Sequence, residues 1–471
     1  PGNPIEPLFL THFGPVIESL LQTGQLLTLD CFFKNQVALL FPLVYIFRAW
    51  YCHNVLLLFA SDRSEWYYIR TPCQRANDTT MKITGTKTYK FSVPTGQSQS
   101  DPHTGELISS LAKSWLFFKI ETDAGISGWG EGSGEWLVPA VEATLADWEV
   151  LLIDRDPLQY RELCEDIQNR LPWKGGPVFG TAIAAIDAAL HDIAARAWNV
   201  PVHQLLGGRR RDKIRVYSNG GSFAAPEEAA RGARQTMELG FAGVKGNPLE
   251  SRTWPMDASA LEHSVACVEA MRREVGPKFD ILLDAHGSPT PEMGVEFARR
   301  VAKTRPLLLE EPVKTGSIDA LLEVSRKSPV PVATGEKLFA VEQFQPLIDA
   351  RACAYLQPDL THCFGLTGLL AIAAAAAPAQ MLMAPHNAGG PLCTAATLQA
   401  DALMPNFLIQ ETNHFWLSIY DQYVDHDWQV DDGYIALDDR PGLGVEVKEA
   451  DIAVLPYEPM AYRQYRHTDG S

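Results

Sequence analysis

Two textures of hydrophobic patterning divide the chain. From about Ile214 onward, short apolar runs alternate with helix-like stretches: IRVYSNGG, FAGVKGN, DILLDAHG, PLLLEEP, PVATGEK, AYLQPDL, AQMLMAPHN and NFLIQET. Eight strand-like runs with helices between them predict parallel strands joined by crossover helices, the arrangement that closes into a barrel. An open dinucleotide-binding sheet is the competing architecture, but no GxGxxG follows any of the runs. Residues 81–208 read differently, as a small α+β module. Apolar segments at 116–120 and 125–131 flank a hairpin-like turn at 121–124. Between 181 and 198, Ile183, Ile186, Ala189, Leu190, Ile193 and Ala194 recur at helical spacing.

The first eighty residues form a third texture. They lack Met, whereas all nine Met residues lie at or after Met81. An aromatic and aliphatic stretch at 32–60 is interrupted by Lys34, Arg48 and His53, leaving uncharged pieces of about a dozen residues. A bilayer crossing needs roughly 20. Nor does a small-residue cleavage site mark a signal peptide. Two readings stay open for 1–80: a membrane-associating segment, or a tail foreign to the rest of the chain, unstructured or artefactual.

Composition narrows the class. With 471 residues there is room for two or three domains, and 46% hydrophobic with 21% charged residues is the balance of a soluble globular protein. A formal charge of −17 argues against nucleic acid or an anionic membrane as the main partner. An anionic small molecule stays compatible if the site brings its own cations. Eight cysteines scattered without a CxxC pair fit a reducing, cytoplasmic setting and point away from a thiolate zinc site.

Ionisable residues fall where the apolar runs end: Lys245 with Asn247, Asp284 with His286, then Glu310, Glu336, Asp359, His386 and Glu411. In a parallel barrel those ends share one face, and it is the functional one. Any single carboxylate there can serve as a helix cap, but seven successive units repeating the placement are not explained by caps. Asp284, Glu310 and Glu336 are 26 and 26 residues apart, one βα unit each. Three carboxylates that close repel one another unless a cation sits among them, and hard oxygen ligands favour Mg²⁺ over zinc. Period-two alternation turns Glu311 away from Glu310 and makes it a partner for a barrel-to-helix salt bridge. His386 follows Asp359 by 27 residues, so a carboxylate can fix its tautomer and raise its basicity, as a general base requires. His286, two residues past Asp284, is expected on the same face, as an acid/base group or a further ligand. Lys245 supplies positive charge for a carboxylate. His362 and His414 read as loop residues.

These residues lie within motifs that resemble the mandelate racemase and galactonate dehydratase branch of the enolase superfamily. The motifs are AIDAALHDIAARAWNVPVHQLLGG ending at Gly208, GWGE at 128–131, EEP at 310–312, GEK at 335–337 and APHNAGGP at 384–391. The resemblance covers about 81–460. It implies an α/β fold, with an α+β capping domain at 81–208 closing over a modified (β/α)₇β TIM barrel at 209–440. The segment 441–471 then returns to the cap, and the assembly is often octameric. It further implies one Mg²⁺ on Asp284, Glu310 and Glu336, His386 with Asp359 as base, and Glu411 bonded to a substrate carboxylate oxygen. His286 resembles the acid that protonates a departing 3-hydroxyl. Racemases of this branch carry Lys-x-Lys on the second strand; here it is Lys245-Gly246-Asn247, leaving those two side chains for the carboxylate and hydroxyls of a sugar acid. The expectation is an acid-sugar dehydratase giving a 2-keto-3-deoxy acid. An epimerase using both histidines and a catalytically silent scaffold are the alternatives. Ser288-Pro289-Thr290 stand where such dehydratases often have an arginine, and 248–257 reads as an inserted loop.

Overall fold

The computed structural model describes residues 81–94, 112–249 and 258–460, together with the backbone of strands Phe47–Cys52, Val55–Ala60 and Glu65–Arg70. Those three strands pair antiparallel in chain order. The rest of the expected tail, and residues 250–257 of the expected insertion, lie outside the described residues.

Chain patterning builds the cap first. Strands β1 (Ile83–Pro94), β2 (Ala112–Thr122) and β3 (Ser127–Glu131) form an antiparallel sheet, followed by helices α1 (Val138–Leu152), α2 (Tyr160–Arg170) and α3 (Pro177–Ala197). Strand β2 runs through Thr122, with Glu121 paired to Ser127, so the turn falls at 123–126, two residues later than expected. Gly125 takes the left-handed position there, at φ 74°. Helix α3 is alanine-rich with Pro177 at its first turn. It is long and apolar enough to cross a membrane, but 94% of its most apolar window is buried within the protein. Two glycines of GWGE let β3 lie against it. A Cβ on Gly128 would come 2.1 Å from the Ala189 carbonyl oxygen, and one on Gly130 2.0 Å from that of Ala185.

All eight apolar runs become parallel strands: β4 (Lys213–Gly221), β5 (Gly243–Gly246), β6 (Asp280–Asp284), β7 (Leu308–Glu310), β8 (Val332–Thr334), β9 (Tyr355–Leu356), β10 (Leu382–Met383) and β11 (Gln410–Thr412). They pair in chain order from β4 to β10. Strand β11 pairs with β4, and a bridge between Met383 and Phe407 completes the closure. Among the described residues, seven α-helices lie between the strands: α4 (Pro226–Glu238), α5 (Ala258–Val275), α6 (Pro291–Val301), α7 (Ile318–Lys327), α8 (Val341–Ala350), α9 (Gly365–Ala376) and α10 (Pro391–Asp401). The fold is therefore a (β/α)₇β barrel with an N-terminal α+β cap.

Side chains pointing into such a barrel stack in layers drawn from alternate strands. The apolar filling consists of Tyr217, Leu282, Leu308, Ala333, Ala384 and Ile409. Toward the C-terminal mouth the next inward residues of the second, fourth, sixth and eighth strands are Lys245, Glu310, Gln357 and Glu411, all buried. A polar layer replaces an apolar one, and it forms the floor of the site. Beyond the barrel, the chain crosses back to the cap. Glu449 accepts bonds from Tyr89 and from Lys119 Nζ (2.8 Å), and the Ser92 N–H donates to the Pro456 carbonyl (2.9 Å).

Candidate active site

The floor is built around one ammonium. Lys245 is 1% exposed, and its Nζ lies 3.0 and 3.1 Å from the two oxygens of Glu310, 3.1 Å from Glu411 Oε2 and 3.8 Å from Asp284 Oδ2. Burial opposes its charge, but Glu310 and Glu411 outweigh burial and hold it well above the usual lysine range. Lys245 is thus a fixed internal cation at neutral pH. Gln357, which the sequence reading did not single out, donates from Nε2 to Glu310 Oε2 at 2.7 Å.

On this floor stand the three carboxylates. Ligand oxygens of Asp284, Glu310 and Glu336 all lie within 4.8 Å of one another. Burial and the neighbouring Asp284 push the Glu310 carboxyl well above its usual range. For Glu336 burial is outweighed by His386 and Lys337, which hold it well below. Hard carboxylate oxygens gathered this closely at the ends of three neighbouring strands are the donor set that Mg²⁺ takes from protein. Two buried amide oxygens without a protein partner, Asn247 Oδ1 and Gln357 Oε1, lie at the same place, and the Tyr217 hydroxyl faces Glu411 there. Buried polar groups are rarely left unpaired, and their concentration marks a ligand and ion cavity. The donor set fits a hard divalent cation.

Two histidines flank the carboxylates. His386 Nδ1 lies 2.7 Å from Asp359 Oδ2, and its Nε2 is 3.5 Å from Glu336 Oε2. Burial would lower its pKa, but Glu336, Glu411 and Asp359 raise it to about 10 in the metal-free protein. Asp359 is itself locked by the Thr361 N–H (2.7 Å) and hydroxyl (2.6 Å). Opposite, His286 Nε2 is 2.8 Å from Asp284 Oδ2 and its Nδ1 is 2.5 Å from Asn247 Nδ2. Its placement beside Asp284 was expected from strand parity, but β6 ends at Asp284 and His286 sits at φ 47°. The left-handed turn, pinned by the His286 N–H on Asp284 Oδ1 (2.9 Å), swings the ring back over the site.

Glu311 departs from expectation for the same reason. At φ 42° it does not continue the strand, and its buried carboxylate pairs with Lys337, which also reaches Glu336 at 2.9 Å. It forms a salt bridge, but with the loop after β8 rather than with a helix. Burial and Glu336 raise its carboxyl to about 6. His414 accepts or donates through Nδ1 at 3.0 Å to Ser218, and His362 Nδ1 lies 3.1 Å from the Glu336 carbonyl, so both brace loops at the mouth.

A barrel whose strand ends deliver three carboxylates, two histidines and a lysine under an α+β cap defines a class. The chain belongs to the mandelate racemase/muconate lactonizing enzyme family of the enolase superfamily. Residues 90–207 match the mandelate racemase/muconate lactonizing enzyme N-terminal domain, and 228–451 match the enolase C-terminal domain-like family. Among its relatives, the D-galactonate dehydratase of Variovorax paradoxus (strain S110) is 35% identical over 369 residues, 77% of this chain and 96% of that one. That of Cronobacter sakazakii (strain ATCC BAA-894) is 34% identical over 372 residues, 77% of this chain and 96% of its own. A solved enolase-superfamily member from Salmonella Typhimurium superposes with TM-score 0.71 at 26% identity, covering 81% of this chain and 99% of that one.

Proposed function

We propose that the protein is an acid-sugar dehydratase of the D-galactonate dehydratase kind, dependent on Mg²⁺. The observation that carries the reading is the pairing of two differently held histidines across one carboxylate cluster, in a chain a third identical to two such dehydratases. Asp284, Glu310 and Glu336 would hold the ion. When bound, it neutralises negative charge on the substrate carboxylate as the α-carbon loses its proton.

With Glu336 engaged by the ion, His386 loses the largest charge that raises its pKa, leaving the imidazole neutral; oriented by Asp359, it then takes the α-proton on Nε2. Lys245, Asn247 and Glu411 line the floor, where they hold the substrate carboxylate and hydroxyls. His286 donates a proton to the neighbouring hydroxyl, which leaves as water, and the resulting enol relaxes to a 2-keto-3-deoxy acid. Substrate carbon loses one proton and one hydroxide, and the enzyme returns to its starting protonation after one proton passes through solvent. The missing second lysine favours elimination over two-base racemisation, because the second-strand position holds Asn247, which cannot act as a base at neutral pH.

The test is a library of C4 to C6 sugar acids assayed with Mg²⁺ for 2-keto acid formation, before and after chelation. Keto acid that vanishes on chelation and returns with Mg²⁺ is the expected result. Deuterium entering C2 from solvent without keto acid would replace dehydration by epimerisation.

A further inference from the structure

The loop that carries His386 is shaped by the cap as well as by the barrel. Glu131, the last residue of β3, is 3% exposed and far in sequence from the chemistry. Its Oε1 accepts the Gly390 N–H at 2.5 Å and its Oε2 accepts the Cys393 N–H at 2.8 Å. Gly390 is the N-cap of α10 and Cys393 lies in that helix's first turn, where amide groups have no partner inside the helix. A carboxylate from another domain therefore serves as the missing cap, at the helix end that favours negative charge.

Contact on the loop is close. A Cβ on Gly389 would lie 2.5 Å from the Cys393 Cβ, and one on Gly390 2.8 Å from the indole of Trp115 on β2. Between these glycines and His386, the Asn387 N–H donates to Glu411 Oε2 (3.3 Å) and its side chain donates to Thr394 (2.9 Å). The loop is thus held at its start by the barrel floor and at its end by Glu131 and Trp115. Within it, the Asp359 bond fixes the direction of the imidazole, while the backbone sets where that imidazole stands.

We infer that Glu131 is a positioning residue: by binding the Gly390 and Cys393 amides, the cap sets the reach of His386 into the site. This rests on the reading of His386 as the base. A displacement of about 1 Å at a reacting group costs on the order of 10²-fold in rate.

Two variants approach the contact from opposite sides, Glu131→Gln and Gly390→Ala, each as the full chain with Mg²⁺. Both should lower kcat about 10- to 100-fold while KM and Mg²⁺ affinity stay within about threefold. Hydrogen exchange of peptides covering 386–394 should rise in both, with the floor strands unchanged. Wild-type kcat and exchange in Glu131→Gln would overturn the inference, as would equal losses of kcat and Mg²⁺ affinity, which mark a general structural role. His386→Asn separates the two ideas. If it retains turnover, the base assignment fails, whereas a dead His386→Asn beside a fully active Glu131→Gln removes only the positioning role. If Glu131→Gln does not fold, Gly390→Ala decides by the same kcat and exchange criteria.

Discussion

Replacing Gln357 with leucine separates metal binding from stability, because two opposed terms nearly cancel in the fold and only one acts on the ion. The amide donates to Glu310 Oε2 at 2.7 Å, a bond to a charged group worth about 1.5–3 kcal/mol. Its own Oε1 is buried without a protein partner, and removing such an atom returns about 1–3 kcal/mol. Leucine fills a similar volume, so unfolding free energy should stay within about 1 kcal/mol of wild type. Metal affinity has no such offset. Without the amide, Glu310 is oriented by Lys245 alone, and loss of a group that aims a metal ligand typically costs 10- to 100-fold in affinity. Titration calorimetry of chelator-stripped protein with Mg²⁺ reads the affinity, and urea unfolding without metal reads the stability. A Mg²⁺ affinity within twofold of wild type, or a stability loss of several kcal/mol, would refute the reasoning.

Other substitutions test neighbouring steps. His386→Asn should reduce kcat by about 10²- to 10⁴-fold, the range of general-base catalysis, with an unchanged circular dichroism spectrum. Gly130→Ala places a methyl against the Ala185 carbonyl, a contact no rotamer relieves, and should destabilise the cap by about 3 kcal/mol in urea unfolding. His203, buried with its Nδ1 2.7 Å from Gln399 Oε1, has its pKa lowered by burial, so the unfolded chain binds its proton first as pH falls. Its stabilising contribution is therefore intact above about pH 6.5 and declines as pH drops through that value. Melting temperatures from pH 7.5 to 5.5 should fall less steeply for His203→Gln than for wild type, and parallel slopes would count against this assignment.

The barrel and the carboxylate cluster were legible because both repeat. One βα unit spans about 26 residues, and each unit puts its polar residue where an apolar run stops, so Asp284, Glu310 and Glu336 advertise one another. Gln357 escaped because a single uncharged amide inside AYLQPDL looks the same whether it faces the barrel interior or a helix. The signal was its parity, two residues before Asp359 and hence on the same side of the chain. Parity named the right neighbour for His286 and the right carboxylate of the Glu310/Glu311 pair, but not the backbone path: both His286 and Glu311 leave the strand in left-handed turns, which polar non-glycine residues adopt without a local signature. Glu131 was visible only as part of GWGE. Nothing in a linear pattern says that a carboxylate at the end of a cap strand will cap a helix whose N-cap residue lies 259 residues later.

Helix α3 bears on how this architecture can be recombined. Asp187 on that helix accepts the Thr367 hydroxyl (2.6 Å) and N–H (3.2 Å) at the start of α9. One turn further, Asp192 accepts the N–H groups of Trp129 (3.0 Å) and Leu443 (2.9 Å) and holds Arg196 (2.9 Å). Both carboxylates are buried; if the barrel beneath them is replaced, Asp187 loses both Thr367 bonds, whereas Asp192 loses Leu443 and keeps Trp129 and Arg196. A chimera that sets 81–208 on another barrel therefore leaves the buried Asp187 without its Thr367 donors and Asp192 short of one amide, at about 1–3 kcal/mol for each group left unpaired. The heritable unit of exchange is larger: cap, the 442–446 return segment and the first turn of α9 travel together, although the chain visits them hundreds of residues apart.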